Sequence, residues 1–173
     1  MKARLIGLFI LTLMIVLPSC SRKEITPTPE FIGLPEIQMA EVMVYFLDEA
    51  RFAVGTEPYE TGVIRSLHPD SFLPRLALQA YFEGPTDEEY AQGLRVVLSN
   101  CTDFSEFTIQ DEIAMVKLEG PCTSGRSTYT IAQPIMKILL QFPEIRYVKI
   151  FDADGTTEEP FGPVNSIPFV LEP

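Results

Sequence analysis

Apolar and polar positions follow several different spacings along the chain, and each predicts its own element. Met39 to Leu47 is almost continuously apolar and rich in β-branched and aromatic residues, which predicts a central strand buried on both faces. Val63 to Leu67 predicts a second, weaker strand. Leu73, Leu76, Ala77, Ala80 and Tyr81 share one helical face. Ser71 is placed to cap that helix, Pro74 falls where a first turn tolerates it, and Gly84-Pro85 stops it. Thr86 opens a further short helix, with Asp87, Glu88 and Glu89 in its first turn and Glu89 at the capping-box spacing.

The clearest local pattern follows. Phe107 and Ile109 alternate on one face of a strand, and Ala114, Val116 and Leu118 on one face of the next. A two-residue turn at Asp111-Glu112 sets Phe107 opposite Val116 and Ile109 opposite Ala114, with Glu106 against Lys117 on the other face. This predicts a hairpin, although Asp-Glu is not a favoured turn pair. Ser127 to Phe142 predicts a helix with Ile131, Ile135, Ile138, Leu139 and Phe142 on one side, kinked or restarted at Pro134. Arg146 to Phe151 alternates as a strand that the Asp154-Gly155 turn ends. The expected class is α+β: a single domain with a mixed β-sheet, helices packed on one face, and an irregular, extended, Pro-rich and acidic C-terminal tail.

The N-terminus changes the picture. Met1-Lys-Ala-Arg4 precedes an apolar run, Leu5 to Leu17, interrupted only by Gly7 and Thr12. At ~1.5 Å per helical residue the run falls short of a ~30 Å bilayer core, so it reads as the apolar part of an export signal. Leu-Pro-Ser-Cys20 resembles a bacterial lipobox, in which the Cys is lipidated and becomes the new N-terminus; an ordinary secretory signal with a chance Cys is the alternative. The expected organisation is therefore a lipoprotein signal peptide at 1–19, a flexible tether at 20–38, a folded domain at 39–155 and the tail at 156–173. The expected location is extracytoplasmic, lipid-anchored to the bacterial cell membrane through Cys20.

Charge narrows the partners. The 173-residue chain carries 13 Lys+Arg against 24 Asp+Glu, a net −11 at pH 7, and its basic residues are scattered. No nucleic acid is expected as a partner, because phosphate-backbone affinity needs clustered cations. Signal cleavage would remove Lys2 and Arg4 and no acid, and the more acidic product would be repelled by anionic headgroups, leaving anchorage to the acyl chains.

Candidate chemistry is sparse. His68 is the only histidine, in an expected loop, and with Cys20 committed to lipid neither a zinc site nor a nucleophile–histidine pair has its residues. No metal, no cofactor and no catalytic residue are expected. Asp87, Glu88 and Glu89 could be read as acid–base groups, but acids also gather at helix N-termini for dipole reasons. Asp152 to Glu159 faintly resembles a calcium loop without its full ligand spacing, and a turn is the plainer reading. Export leaves Cys101 and Cys122 as an even pair in a compartment where disulfides persist. Extending the hairpin register outward sets them opposite each other on the core-facing parity, so a disulfide is expected, with two buried free thiols as the alternative.

Several motifs occur in a telling order. Gly84-Pro85-Thr86 is followed by Glu89, Gly93-Leu94, Ile113-Ala114-x-Val116, Ile138-Leu-Leu-Gln-Phe-Pro143, and Val148-x-Ile150 running to Asp154-Gly155. Together they resemble the GerMN domain over roughly Met39 to Gly155. The resemblance implies an α+β fold found in surface lipoproteins linked to sporulation, germination and envelope assembly, acting as protein-interaction modules without catalytic residues to carry over. Cys101 and Cys122 stand outside that pattern. The expected function is a membrane-anchored, non-catalytic interaction or scaffold domain with a protein partner in the cell envelope. The alternative is a cell-wall glycan-binding protein, or a hydrolase using surface carboxylates.

Overall fold

A computed structural model describes residues 38–69 and 72–173. The signal peptide, Cys20, nearly all of the tether and the Ser71 cap lie outside the described residues. Strand β1 (Ala40–Asp48) is central in an antiparallel sheet between β2 (Glu60–Leu67) and the two-residue β3 (Leu94–Arg95). Val42, Val44 and Phe46 point into the core, whereas Met43 and Tyr45 on the opposite face are only partly covered. Burial on both faces was the expectation; one face is buried. On the other face Met43 and Tyr45 lie over Gly62, where a Cβ would come within 2.5 Å of Met43 Cε. A short helix α1 (Glu49–Ala53), capped by Asp48, leads toward β2.

Helix α2 (Leu73–Glu83) binds this sheet to a second one. Its Tyr81 ring stacks on Phe46 at 5.7 Å, while Phe82 meets Phe104 and Phe72 meets Phe107 in the other sheet. The buried Tyr81 hydroxyl donates to Val97 O and accepts from Val97 N–H, fixing the chain just after β3. Helix α3 (Asp87–Ala91) starts with the predicted capping box of Thr86 and Glu89.

The hairpin forms as β4 (Asp103–Gln110) and β5 (Ile113–Glu119), with Phe107 opposite Val116, Ile109 opposite Ala114 and Glu106 opposite Lys117. Asp111 and Glu112 both take positive φ, 50° and 63°, supplying the twist that a two-residue turn requires. A bulge between Phe104 and Glu106 then shifts the ladder by one residue. At the far end Gly120, at φ +89° and with Thr102 N only 3.0 Å from where a Cβ would sit, adds a compensating residue to the other strand. Cys101 and Cys122 are thereby brought back into opposition and are bonded, with Cα atoms 4.4 Å apart.

Helix α4 (Ala132–Leu139) carries the chain to β6 (Tyr147–Phe151), which pairs parallel to β5. The helix is shorter than the pattern predicts. Pro134 lies in its first turn, where the missing N–H has no intrahelical partner to lose. Residues 127–131 form turns instead, held by Ser127 Oγ donating to Tyr129 O and by Gln133 Oε1 accepting from Thr130 N–H.

The class is α+β, built on two three-stranded sheets, the second one mixed, rather than on one continuous sheet. The ladder breaks because β3 pairs with β1 only at Leu47 and Asp48 before the chain departs into the irregular stretch leading to Cys101. One core joins both sheets to α2 and α4. The C-terminal segment packs back onto the domain. Ser166 bridges β6 in parallel fashion, Leu171 is 1% exposed, and the buried Lys149 donates its ammonium protons to the carbonyls of Glu159 and Phe161. A buried lysine with carbonyl acceptors and an apolar Leu171 give this segment a reason to fold back.

Candidate functional site

The acidic positions read from sequence are occupied with structural work. Glu89 accepts from Arg65 through both oxygens, at 2.7 and 2.6 Å, and from Thr86 N–H at 2.9 Å. The hydrogen bond from Arg65 is the main reason its carboxyl sits below the ordinary carboxylate range. Asp87 and Glu88 are exposed in the first turn of α3. Partial burial pushes Asp152 upward, but Thr156 N–H and Oγ1 (2.8 and 2.7 Å), with the Asp154 and Gly155 backbone, outweigh it and hold the carboxyl low. That geometry closes Asp152–Thr156 as a turn, while Thr157, Glu158 and Glu159 bond to Ser166 and Ile167 of the C-terminal segment. Among the described residues no group of three or more His, Cys, Asp or Glu is arranged to hold a metal ion. His68 is exposed just after β2. No described helix is long and apolar enough to cross a membrane.

Two surfaces have the shape of binding sites. The first is the face of the β4–β5–β6 sheet opposite the core, where alternation aims Glu106, Thr108, Met115 and Lys117 outward. A groove of about 280 Å³ there has Met115 and Phe151 in its lining and the cross-strand pair of Glu106 and Lys117 beside them. A second hollow, of about 180 Å³, shares Met115 and is lined by Ile113, Pro160 and Phe161. Phe161 is 85% exposed, the most exposed large apolar side chain of the described residues. The hairpin alternation made the outward residues legible in sequence, but the walls come from the folded-back C-terminal segment, which had no periodic signal.

The second surface joins residues distant in sequence. Phe52 from α1, Tyr59 before β2 and Tyr129 before α4 pack edge to face or tilted, with centroids 5.4 to 6.2 Å apart. Beside them lies a pocket of about 310 Å³ whose lining includes Glu57, Tyr59, Glu60, Thr128, Tyr129 and Gln133. Glu60 forms an ion pair with Lys137 of α4, and the Lys137 ammonium lies 4.9 Å from the Tyr45 ring centroid. Burial, and then the Glu60 charge, push the Tyr129 hydroxyl well above the usual phenol range, so it stays protonated. No motif flagged this site.

The comparisons with known proteins follow the fold. Residues 43–159 match the profile of the Germane family, described as "Sporulation and spore germination". No curated protein matches the chain. Among solved structures, the tandem GerMN domains of the sporulation protein GerM from Bacillus subtilis are 16% identical at a TM-score of 0.50. That alignment covers 73% of this chain and 44% of GerM's tandem chain, so the chain spans less than half of the protein it matches. The first GerMN domain of the same protein is 22% identical at a TM-score of 0.46, covering 73% of this chain and 92% of that one. With the profile spanning well over half of its residues, this chain belongs to the Germane family, the sporulation and spore-germination group to which its ordered motifs point.

Proposed function

We propose that the protein is an extracytoplasmic lipoprotein whose GerMN-like domain is a non-catalytic module that docks a protein partner of the cell envelope. The observation that carries this reading is the outward face of the β4–β5–β6 sheet. Met115, Ile113 and Phe151 form an apolar strip there, and Phe161 stands exposed at its edge. A half-exposed apolar strip beside a charge pair, with the exposed Phe161 ring at its edge, fits the anatomy of a protein–protein surface, an aromatic anchor and a polar rim. The lipobox at Cys20 supplies the anchor, and a Pro- and Thr-containing tether through residue 38 reaches at most roughly 60 Å when extended. That reach lets the domain meet a partner standing off the membrane. The engagement of Glu89 by Arg65 and of Asp152 by Thr156 supports a binding role over one using these carboxylates as acid and base.

Fractionation of cells expressing the full chain tests the anchor. Wild-type protein is expected in the membrane fraction and Cys20→Ser in the soluble extracytoplasmic fraction with its melting transition unchanged. Retention of the variant in the membrane overturns the lipid-anchor reading.

A further inference from the structure

The outward face of the β4–β5–β6 sheet carries a charge pattern as well as an apolar strip, and the charges bear on which partner it takes. The groove holding Met115 and Phe151 shares Lys117 with an adjoining hollow of about 400 Å³, whose lining includes Ser105, Glu119 and Ala153. Asp103 pairs with Glu119 across the β4–β5 ladder, so two carboxylates stand opposite each other on neighbouring strands. Like charges in directly opposed positions destabilise a sheet. Glu106 lines the groove itself. Asp154 lies at its end, next to Gly155 in the lining.

All four of these acids are exposed, and among the described residues none of them is held in an ion pair. Other parts of the domain spend their cations locally: Arg65, Arg95, Lys137 and Arg146 each hold a carboxylate. The two lysines of this face do not balance it. Lys117 stands opposite Glu106 as one ammonium among the four acids. Lys149, next to Met115 across the β5–β6 ladder, is 1% exposed and gives its protons to the carbonyls of Glu159 and Phe161. The solvent-facing charge around the apolar floor is therefore negative, a field that draws in cations and turns away anions. A basic side chain seated by Asp103 and Glu119 would relieve their repulsion, and an apolar neighbour of it would cover Met115 and Phe151. We propose that this groove takes a protein segment carrying Lys or Arg beside a large apolar side chain, an assignment that rests on the docking role of the face.

The test titrates the full chain with acetyl-Lys-Phe-Lys-Leu-Lys amide, and with the same peptide carrying Glu in place of Lys, followed by amide-resolved NMR. The lysine peptide is expected to shift amides of residues 103–119 and 151–155 saturably, and the glutamate peptide to shift none. Asp103→Asn combined with Glu119→Gln should weaken lysine-peptide binding about fivefold, the effect of two exposed ion pairs. The same variant should not melt lower, because it removes a repulsion. Glu41→Gln combined with Glu88→Gln changes the net charge equally at exposed acids on other elements, and should leave binding unchanged. The assignment is overturned if the glutamate peptide binds as well, if millimolar lysine peptide gives no saturable shift, or if both double variants weaken binding equally. Photo-crosslinking in cells from position 115 separates this assignment from the docking role. An adduct reduced severalfold by Asp103→Asn with Glu119→Gln, and not by the control pair, supports a basic partner. An adduct that survives both leaves the docking role standing and overturns the basic partner. No adduct from any of these chains overturns both.

Discussion

Removal of the Glu89 carboxylate should be among the costliest single changes outside the apolar core. Both of its oxygens face Arg65, and the two side chains are only 17% and 19% exposed. The guanidinium also lies 5.6 Å from the Phe46 ring centroid, and Glu89 closes the capping box with Thr86. Breaking a fully buried ion pair from one side costs about 3–5 kcal/mol, and an exposed pair is worth less than about 1 kcal/mol. This pair falls between those limits, and the lost cap adds about 1 kcal/mol, so Glu89→Ala should cost roughly 2–4 kcal/mol. That corresponds to a fall in Tm on the order of 10 °C. Urea denaturation of wild type, Glu89→Ala, Arg65→Met and the double variant gives both the cost and the coupling. The double variant should cost clearly less than the two single changes added, since each single change strands the other charge. The pH dependence has a fixed sign. Arg65 holds the folded carboxyl below its ordinary value near 4.5, so the contribution is complete above that value and is lost as pH falls through the folded one. The Glu89→Ala penalty should therefore be full at neutral pH and shrink in acid. A penalty below about 0.5 kcal/mol at pH 7, or strictly additive variants, would refute the reasoning.

Three further outcomes are expected. Gln141, the glutamine of the Leu-Leu-Gln-Phe-Pro motif, accepts from Met43 N–H and donates to Met43 O, at 2.9 and 2.8 Å, on the edge of β1 that β3 leaves unpaired; Gln141→Leu should cost about 1–2 kcal/mol in chemical denaturation. Reduction of the Cys101–Cys122 bond, which spans a sequence separation of 21, should lower stability by roughly 3 kcal/mol, and thiol counting on unreduced, unfolded mature protein should find neither cysteine free. Lys149→Met removes the ammonium that holds the Glu159 and Phe161 carbonyls, and hydrogen exchange should accelerate in residues 156–166 while β1 stays protected.

How far the sequence could be read depended on whether contacts were local. The β4–β5 pairing was legible because alternation and a cross-strand charge pair agreed on one register. The turn was harder, since Asp111 and Glu112 adopt positive φ without the residues that usually signal it. The disulfide pairing followed from parity, although the ladder reaches it through a bulge near Ser105 and an offsetting residue at Gly120, two irregularities with no periodic signature. β1 was recognised as a strand, but its nearly continuous apolar run hid which face is buried. Lys149 reads as an outward residue of an alternating strand, and only the returning C-terminal segment explains why it is buried. The Tyr59–Tyr129 pocket joins segments about seventy residues apart in the chain, a juxtaposition that long-range packing alone creates.

Site-specific photo-crosslinking in cells tests the docking role of the outward sheet face most directly. A benzophenone amino acid would replace Met115, Phe161 or, as a control on α2, the exposed Glu83. One discrete adduct with an envelope protein, identified by mass spectrometry, is expected from positions 115 and 161 and not from 83, and it should be lost when Cys20→Ser releases the protein from the membrane. Equal crosslinking from all three positions, or none from 115 and 161, would contradict the assignment of that face as the partner surface.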